Sequence, residues 1–305
     1  MLAESHTPTT GAVFGDHDGV LAAFTHAGNQ TLLLTDLPDG MVDLVGDGRS
    51  LAGFAQGGSD ELTALAHAAR VWGDAFTLLG HARGGHDLVV AGGGAEAYAF
   101  GDGELLTGSA IGGDDDVRAG ADETAVAYGD AATIGGLARG GHDRVSADGF
   151  GTPTAYGDAE VILGAGVGGD DTVTGLSSLH GAVRLFGDAE RLEGLSSGGD
   201  DLLIAPSGSA DMWGDAAFRA AGATTGADRF VFAPTGQLAV RSVMDFEPGK
   251  DLIELSGYGL DGFNELASLF QPAEAGVLIV FSGADWVLIA GVQAAQLSAG
   301  DFVFS

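Results

Sequence analysis

Seven Gly-Asp pairs recur along the chain at an almost fixed step, and this recurrence limits the fold more than anything else. Their aspartates are Asp47, Asp74, Asp102, Asp130, Asp158, Asp188 and Asp215, spaced 27, 28, 28, 28, 30 and 27 residues apart. Thirteen residues after each stands a second aspartate: Asp60, Asp87, Asp115, Asp143, Asp171, Asp201 and Asp228. The thirteen-residue half of the unit never changes length, so insertions fall only in the other half. A fixed period of this size marks a stacked, quasi-one-dimensional architecture in which each unit covers the apolar edge of the last.

Other columns share the register. Two residues before each anchor stand Val45, Trp72, Phe100, Tyr128, Tyr156, Phe186 and Trp213. Four after it stand Leu51, Leu78, Leu106, Ile134, Ile162 and Leu192, a column broken only by Arg219. Six after it stands Gly in six units, and fifteen after it come Leu62, Val89, Val117, Val145, Val173, Leu203 and Phe230. Each unit is thus three short apolar beats parted by Gly-rich corners. Glycine is costly inside a helix, so short strands are expected. The expected fold is all-β: a parallel β-solenoid with coils of about 28 residues, closed by a C-terminal β cap domain. At an inter-strand spacing of ~4.8 Å, seven coils make a rod of roughly 34 Å. Residues 1–40 are assigned to an N-terminal cap, 41–228 to the repeats and 229–305 to the C-terminal cap. In the first segment Phe14-Gly15-Asp16 imitates the anchor, but thirteen residues on stands Asn29, and Pro38-Asp39-Gly40 signals a turn. In the last, short strands and one helix over Phe263 to Phe270 are expected.

The charge balance is equally selective. With 43 acidic against 12 basic residues the formal net charge is -31, which excludes a phosphate-neutralising nucleic-acid binder and opposes anionic membrane surfaces. Such a charge strains a folded chain unless cations offset it. No apolar run reaches the ~18 residues of a membrane span, and the first residues lack the basic and apolar regions of a secretory signal. There is no Cys, so disulfide and thiolate sites are ruled out.

Stacked at solenoid spacing, the two Asp columns place ionised carboxylates about 5 Å apart, where they repel. Ca²⁺ answers this chemistry, since it takes six to eight hard oxygens from carboxylates and peptide carbonyls at ~2.3–2.6 Å. All fourteen column aspartates are therefore candidate ligands. The bland alternative is a set of Asx-turns at solvent-exposed corners.

The phrases Gly-Gly-His-Asp-Leu-Val at 84–89, Gly-Gly-Asp-Asp-Thr-Val at 168–173 and Gly-Gly-Asp-Asp-Leu-Leu at 198–203 resemble the RTX, or hemolysin-type, nonapeptide G-G-x-G-x-D-x-U-x. The resemblance implies a β-roll with several Ca²⁺ ions held at turns between coils, Asp87 and its column equivalents serving as ligands. The Gly-Asp anchors look like a second, shorter turn outside the nonapeptide, and suggest a coil of three faces rather than two. Farther on, Gly226-Ala-Asp-Arg-Phe-Val-Phe232, Asp245-Phe-Glu-Pro-Gly-Lys-Asp-Leu-Ile-Glu-Leu-Ser256 and Leu297-Ser-Ala-Gly-Asp-Phe-Val-Phe304 resemble the end domain of serralysin-type secreted RTX proteins. That resemblance implies export through type I secretion machinery and an extracellular or cell-surface location. No H-E-x-x-H motif is present, so the zinc protease itself is not expected.

Two further features bear on function. The residue before the second aspartate is Ser59, His86, Asp114, His142, Asp170 and Asp200 in the first six units. Within that row His86, Asp114 and His142 form a candidate second site for a transition metal or for acid–base work, set against a plain solvent-facing turn position. Gly194-Leu-Ser-Ser-Gly198 spells a hydrolase elbow but lacks the strand–turn–helix setting. The leading expectation is a secreted Ca²⁺-binding protein with a structural, adhesive or matrix role. The alternative is a lyase or epimerase acting on extracellular polysaccharide, with Arg83, Arg139, His86 and His142 as its residues. Ice binding needs a flat Thr ladder, which the columns lack.

Overall fold

The chain winds as a parallel β-solenoid, seen in a computed structural model that describes residues 12–177 and 181–305. Residues 1–11 of the expected N-terminal cap, and His180, lie outside the described residues. One coil shows how the sequence columns become structure. After the Gly101-Asp102 turn comes the strand Gly103–Gly108, whose last residue turns the corner at φ 82°, a conformation open to Gly and strained for other residues. A single bridged residue follows, Ile111, and then the Gly112-Gly113 turn. The strands Asp116–Ala121 and Thr124–Tyr128 complete the circuit. In earlier coils these last two strands run on as one, Glu61–Trp72 and Leu88–Phe100. Each coil therefore has three strand segments, matching the three apolar beats of the sequence.

Equivalent residues stack in register. Tyr128 pairs with both Phe100 and Tyr156, and Val145 with both Val117 and Val173. The short strands form an eight-stranded parallel sheet from His17–Ala22 to Ala216–Arg219. The remaining strands form a larger sheet that folds around the opposite side. Alternate residues point inward, so the column of Leu62, Val89, Val117, Val145, Val173, Leu203 and Phe230 is wholly buried, as are Leu51, Leu78, Leu106, Ile134, Ile162 and Leu192. These belong to two separate apolar cores, one inside the larger sheet and one inside the eight-stranded sheet.

The aromatic column forms a third cluster. Trp72, Phe100, Tyr128, Tyr156, Phe186 and Trp213 stack face to face, with centroids 4.5–5.3 Å apart and ring planes within 16°. Stacked aromatic pairs are worth roughly 0.5–1.5 kcal/mol beyond the area they bury.

The structure departs from expectation at both ends of the repeats. Val13–Phe14 and His17–Ala22 already pair in parallel with the first regular coil, so the winding begins inside the segment assigned as a cap. Pro38-Asp39-Gly40 does not close a turn: the strand Thr31–Val45 continues through it with two register shifts, and Gly40 absorbs the irregularity at φ 144°. At the other end the larger sheet passes residue 229 without a break. Arg229–Phe232 pairs in parallel with both Leu202–Ile204 and Leu252–Leu255. Only then does the pairing become antiparallel, where Gly276–Ser282 meets both Phe270–Ala273 and Asp285–Ala290. The expected helix is confined to Phe263–Ala267 because that hairpin claims Phe270. Arg241, fully buried over the Phe232 ring, donates to Asp285, Tyr258 and the Ala233 carbonyl and ties these pieces together.

Candidate cation sites at the solenoid waist

The Gly-Asp turn and the Gly-Gly turn of one coil face each other, pinching it between the two apolar cores. Hydrogen bonds across this waist define it. Gly113 N–H donates to Asp102 Oδ1 at 2.9 Å, Gly141 N–H to Asp130 at 2.8 Å and Gly169 N–H to Asp158 at 2.7 Å. Asp47, Asp74, Asp188 and Asp215 accept in the same way from Gly58, Gly85, Gly199 and Gly226.

The second column runs along the stack instead. Asp60 N–H donates to Asp87 Oδ1, Asp87 to Asp115, Asp115 to Asp143, Asp143 to Asp171, Asp171 to Asp201 and Asp201 to Asp228, all at 2.6–3.0 Å. The Asx-turn alternative at exposed corners is thereby excluded: all fourteen aspartates are at most 4% exposed.

Burial on this scale leaves charge uncompensated. Twelve of the fourteen keep one buried carboxylate oxygen with no donor in the protein: Oδ1 of Asp47 and Oδ2 of Asp60, Asp87, Asp102, Asp115, Asp130, Asp143, Asp158, Asp171, Asp188, Asp201 and Asp228. Asp74 differs, since both its oxygens lie within reach of Gly85 N–H. Loss of solvation, reinforced by neighbouring aspartates, drives Asp74, Asp115, Asp130, Asp143 and Asp158 well above the ordinary carboxylate range. Toward the ends burial still raises Asp47 to about 6, Asp60 to about 8, Asp215 to about 7 and Asp228 to about 9. Buried carboxylates in such numbers require protons or cations.

The donor set fits a hard cation. A Cβ on Gly112 would stand 1.7 Å from Asp130 Oδ1 and 2.5 Å from Asp102 Oδ2, so consecutive anchors converge on a space only Gly leaves open. A Cβ on Gly101 would stand 1.7 Å from the Gly129 carbonyl oxygen and 2.3 Å from Asp115 Oδ2, which joins a peptide oxygen to an orphaned carboxylate oxygen. Among the described residues no three His, Cys, Asp or Glu side chains form a ready-made cage. A cation here would be shared between paired carboxylates and backbone carbonyls, the mixed oxygen set that Ca²⁺ accepts.

The candidate second site resolves differently. His86, Asp114 and His142 do stand on successive coils, along an open groove of about 490 Å³ that Arg144 and Asp170 also line. Yet each exposed side chain is a hydrogen-bond acceptor for the next coil. Asp114 N–H donates to His86 Nδ1, His142 N–H to Asp114 Oδ1, Asp170 N–H to His142 Nδ1 and Asp200 N–H to Asp170 Oδ1. This commits Nδ1 of both histidines to the backbone. Arg83 and Arg139 lie in the bridged column and do not line the groove.

Three residues extend the Asp columns beyond the sequence repeat. Gln30, not Asn29, occupies the second-column position of the first coil, since its N–H donates to Asp60 Oδ1 at 2.7 Å. Asp251 accepts from Asp228 N–H at 3.1 Å and so adds a step at the other end. Its signal was present in the sequence: Asp251-Leu-Ile repeats the spelling of Asp201-Leu-Leu. Asp245 accepts from Gly214, Asp215 and Ala216 N–H, standing in for the carbonyls of an absent eighth anchor turn.

The fold and site together define a parallel β-solenoid with a buried double carboxylate ladder. Compared with protein-family models, with curated proteins and with solved structures, the chain matches none.

Proposed function

We propose that this chain is a secreted calcium-binding protein whose solenoid folds, or becomes stable, when Ca²⁺ fills the waist. The observation that carries this reading is the set of twelve buried carboxylate oxygens without a donor. Asp47, Asp60, Asp87, Asp102, Asp115, Asp130, Asp143, Asp158, Asp171, Asp188, Asp201 and Asp228 would hold the ions, together with carbonyls such as that of Gly129. When bound, the ions supply the positive charge that this chain lacks at its waist. An ion that binds only the folded state stabilises it in proportion to the logarithm of its free concentration. The chain therefore suits a compartment rich in Ca²⁺ and an export route that handles an unfolded chain, as the RTX-like and serralysin-like phrases imply. A structural, adhesive or matrix role suits a chain whose described residues are taken up by stacked coils and the strands that follow them.

The lyase or epimerase reading has less support. The groove beside His86 and His142 carries Asp60, Asp87, Asp114, Asp115, Asp143 and Asp170, a lining that repels anionic glycans. Circular dichroism of metal-stripped protein, before and after millimolar Ca²⁺, is the test. We expect a large gain in β signal and thermal midpoint; a stripped form equally folded and equally stable would refute the reading.

A further inference from the structure

The last anchor is built differently from the others. Asp47, Asp102, Asp130, Asp158 and Asp188 each leave one oxygen without a donor, and Asp74 shares Gly85 N–H between its two. At Asp215 a cationic side chain enters instead. Asp215 Oδ1 accepts from Gly226 N–H at 2.6 Å, and Oδ2 lies 3.7 Å from Arg219 Nη1. Arg219 is the one residue that breaks the Leu/Ile column, and it stacks in register on Leu192. It is held by Glu247 at 2.5 Å, which also binds Lys250, the chain's only lysine, at 3.0 Å. Asp245, the next carboxylate along, spends both oxygens on backbone N–H groups.

The other end lacks such a cation: Gln30 donates through Nε2 to Asp16, and its Oε1 is buried without a donor, as are Asp47 Oδ1 and Asp60 Oδ2. Only the last anchor has a guanidinium of the chain beside its carboxylate among the described anchors.

Resting on the calcium reading, we propose that Arg219, held by Glu247, is a built-in plug that ends the row of ions shared by the anchors. Arg219 supplies at Asp215 the positive charge that a bound ion supplies at the anchors inside, so no ion enters there. The row stops because a guanidinium takes the place of an ion, not because the Asp pattern fades.

The calcium content of folded protein, measured by atomic emission after gel filtration at saturating Ca²⁺, tests this. Arg219→Leu restores the residue type of the column, and made in a Glu247→Gln background it leaves no spare surface carboxylate to compete. It should hold about one more ion per chain than Glu247→Gln alone, whereas Arg219→Lys should match the parent. A loaded parent with an unchanged count in Arg219→Leu overturns the inference alone. So does an Arg219→Leu protein that stays unfolded in millimolar Ca²⁺, because the ion should replace the guanidinium. A parent that holds no ion overturns the calcium reading and this inference with it.

Discussion

Raising the pH of metal-free protein from 4 to 8 should unfold it, and adding Ca²⁺ should reverse the trend. Asp60, 3% exposed, is raised by burial from 3.8 to about 8, and Asp215, 1% exposed, to about 7. At 1.36 kcal/mol per unit these shifts correspond to roughly 6 and roughly 4 kcal/mol, about 10 together. Domains are typically stable by only ~5–15 kcal/mol, so two residues suffice to consume most of that. The sign follows from proton binding. Between 3.8 and its folded value each group holds a proton more tightly in the folded chain than in the unfolded one. Metal-free stability is therefore greatest below about pH 4 and declines as pH rises toward 8. Calcium binds the deprotonated carboxylates, so the loaded protein gains stability across the same window. Urea unfolding followed by circular dichroism at half-unit pH steps, with and without millimolar Ca²⁺, measures both slopes. A metal-free midpoint that is flat or climbs from pH 4 to 8 would refute the reasoning.

Other perturbations separate the parts of the site. Asp143→Asn keeps the acceptor for Asp115 N–H while removing a buried charge, so the metal-free form should gain stability at pH 8 and the calcium content should fall. Gly112→Ala drives a methyl against Asp130 and Asp102; we expect it to cost at least ~1–3 kcal/mol, read as a lower urea midpoint in the loaded protein. His86→Ala removes the acceptor of an exposed N–H, so it should cost only about 1 kcal/mol in a urea titration and leave the calcium content unchanged. Terbium added to metal-stripped protein should luminesce on excitation of the Trp72–Trp213 aromatic stack, and calcium should quench that emission by displacement.

Most of the architecture was legible because stacking makes each coil repeat the demands of the last. The columns of Val117, Leu106 and Tyr128, and the glycine corner at Gly108, could be read by counting. Residues that break the period could not be read this way. Pro38-Asp39-Gly40 spells a turn in isolation, yet strand pairing on either side holds it in the sheet. His86 and His142 looked like a variable position or a metal pair, and became intercoil acceptors once the neighbouring N–H groups were placed.

By itself, then, the sequence determined the winding, the inward apolar columns and the presence of two carboxylate rows, because side-chain alternation and glycine corners are local properties. Tertiary structure alone decided that the two rows meet across one buried waist, that twelve oxygens are left without donors, and that Gln30, Asp245 and Arg219 stand at the ladder's ends. Those facts depend on which turns face one another and which N–H groups reach across coils. No period in the chain records such distances.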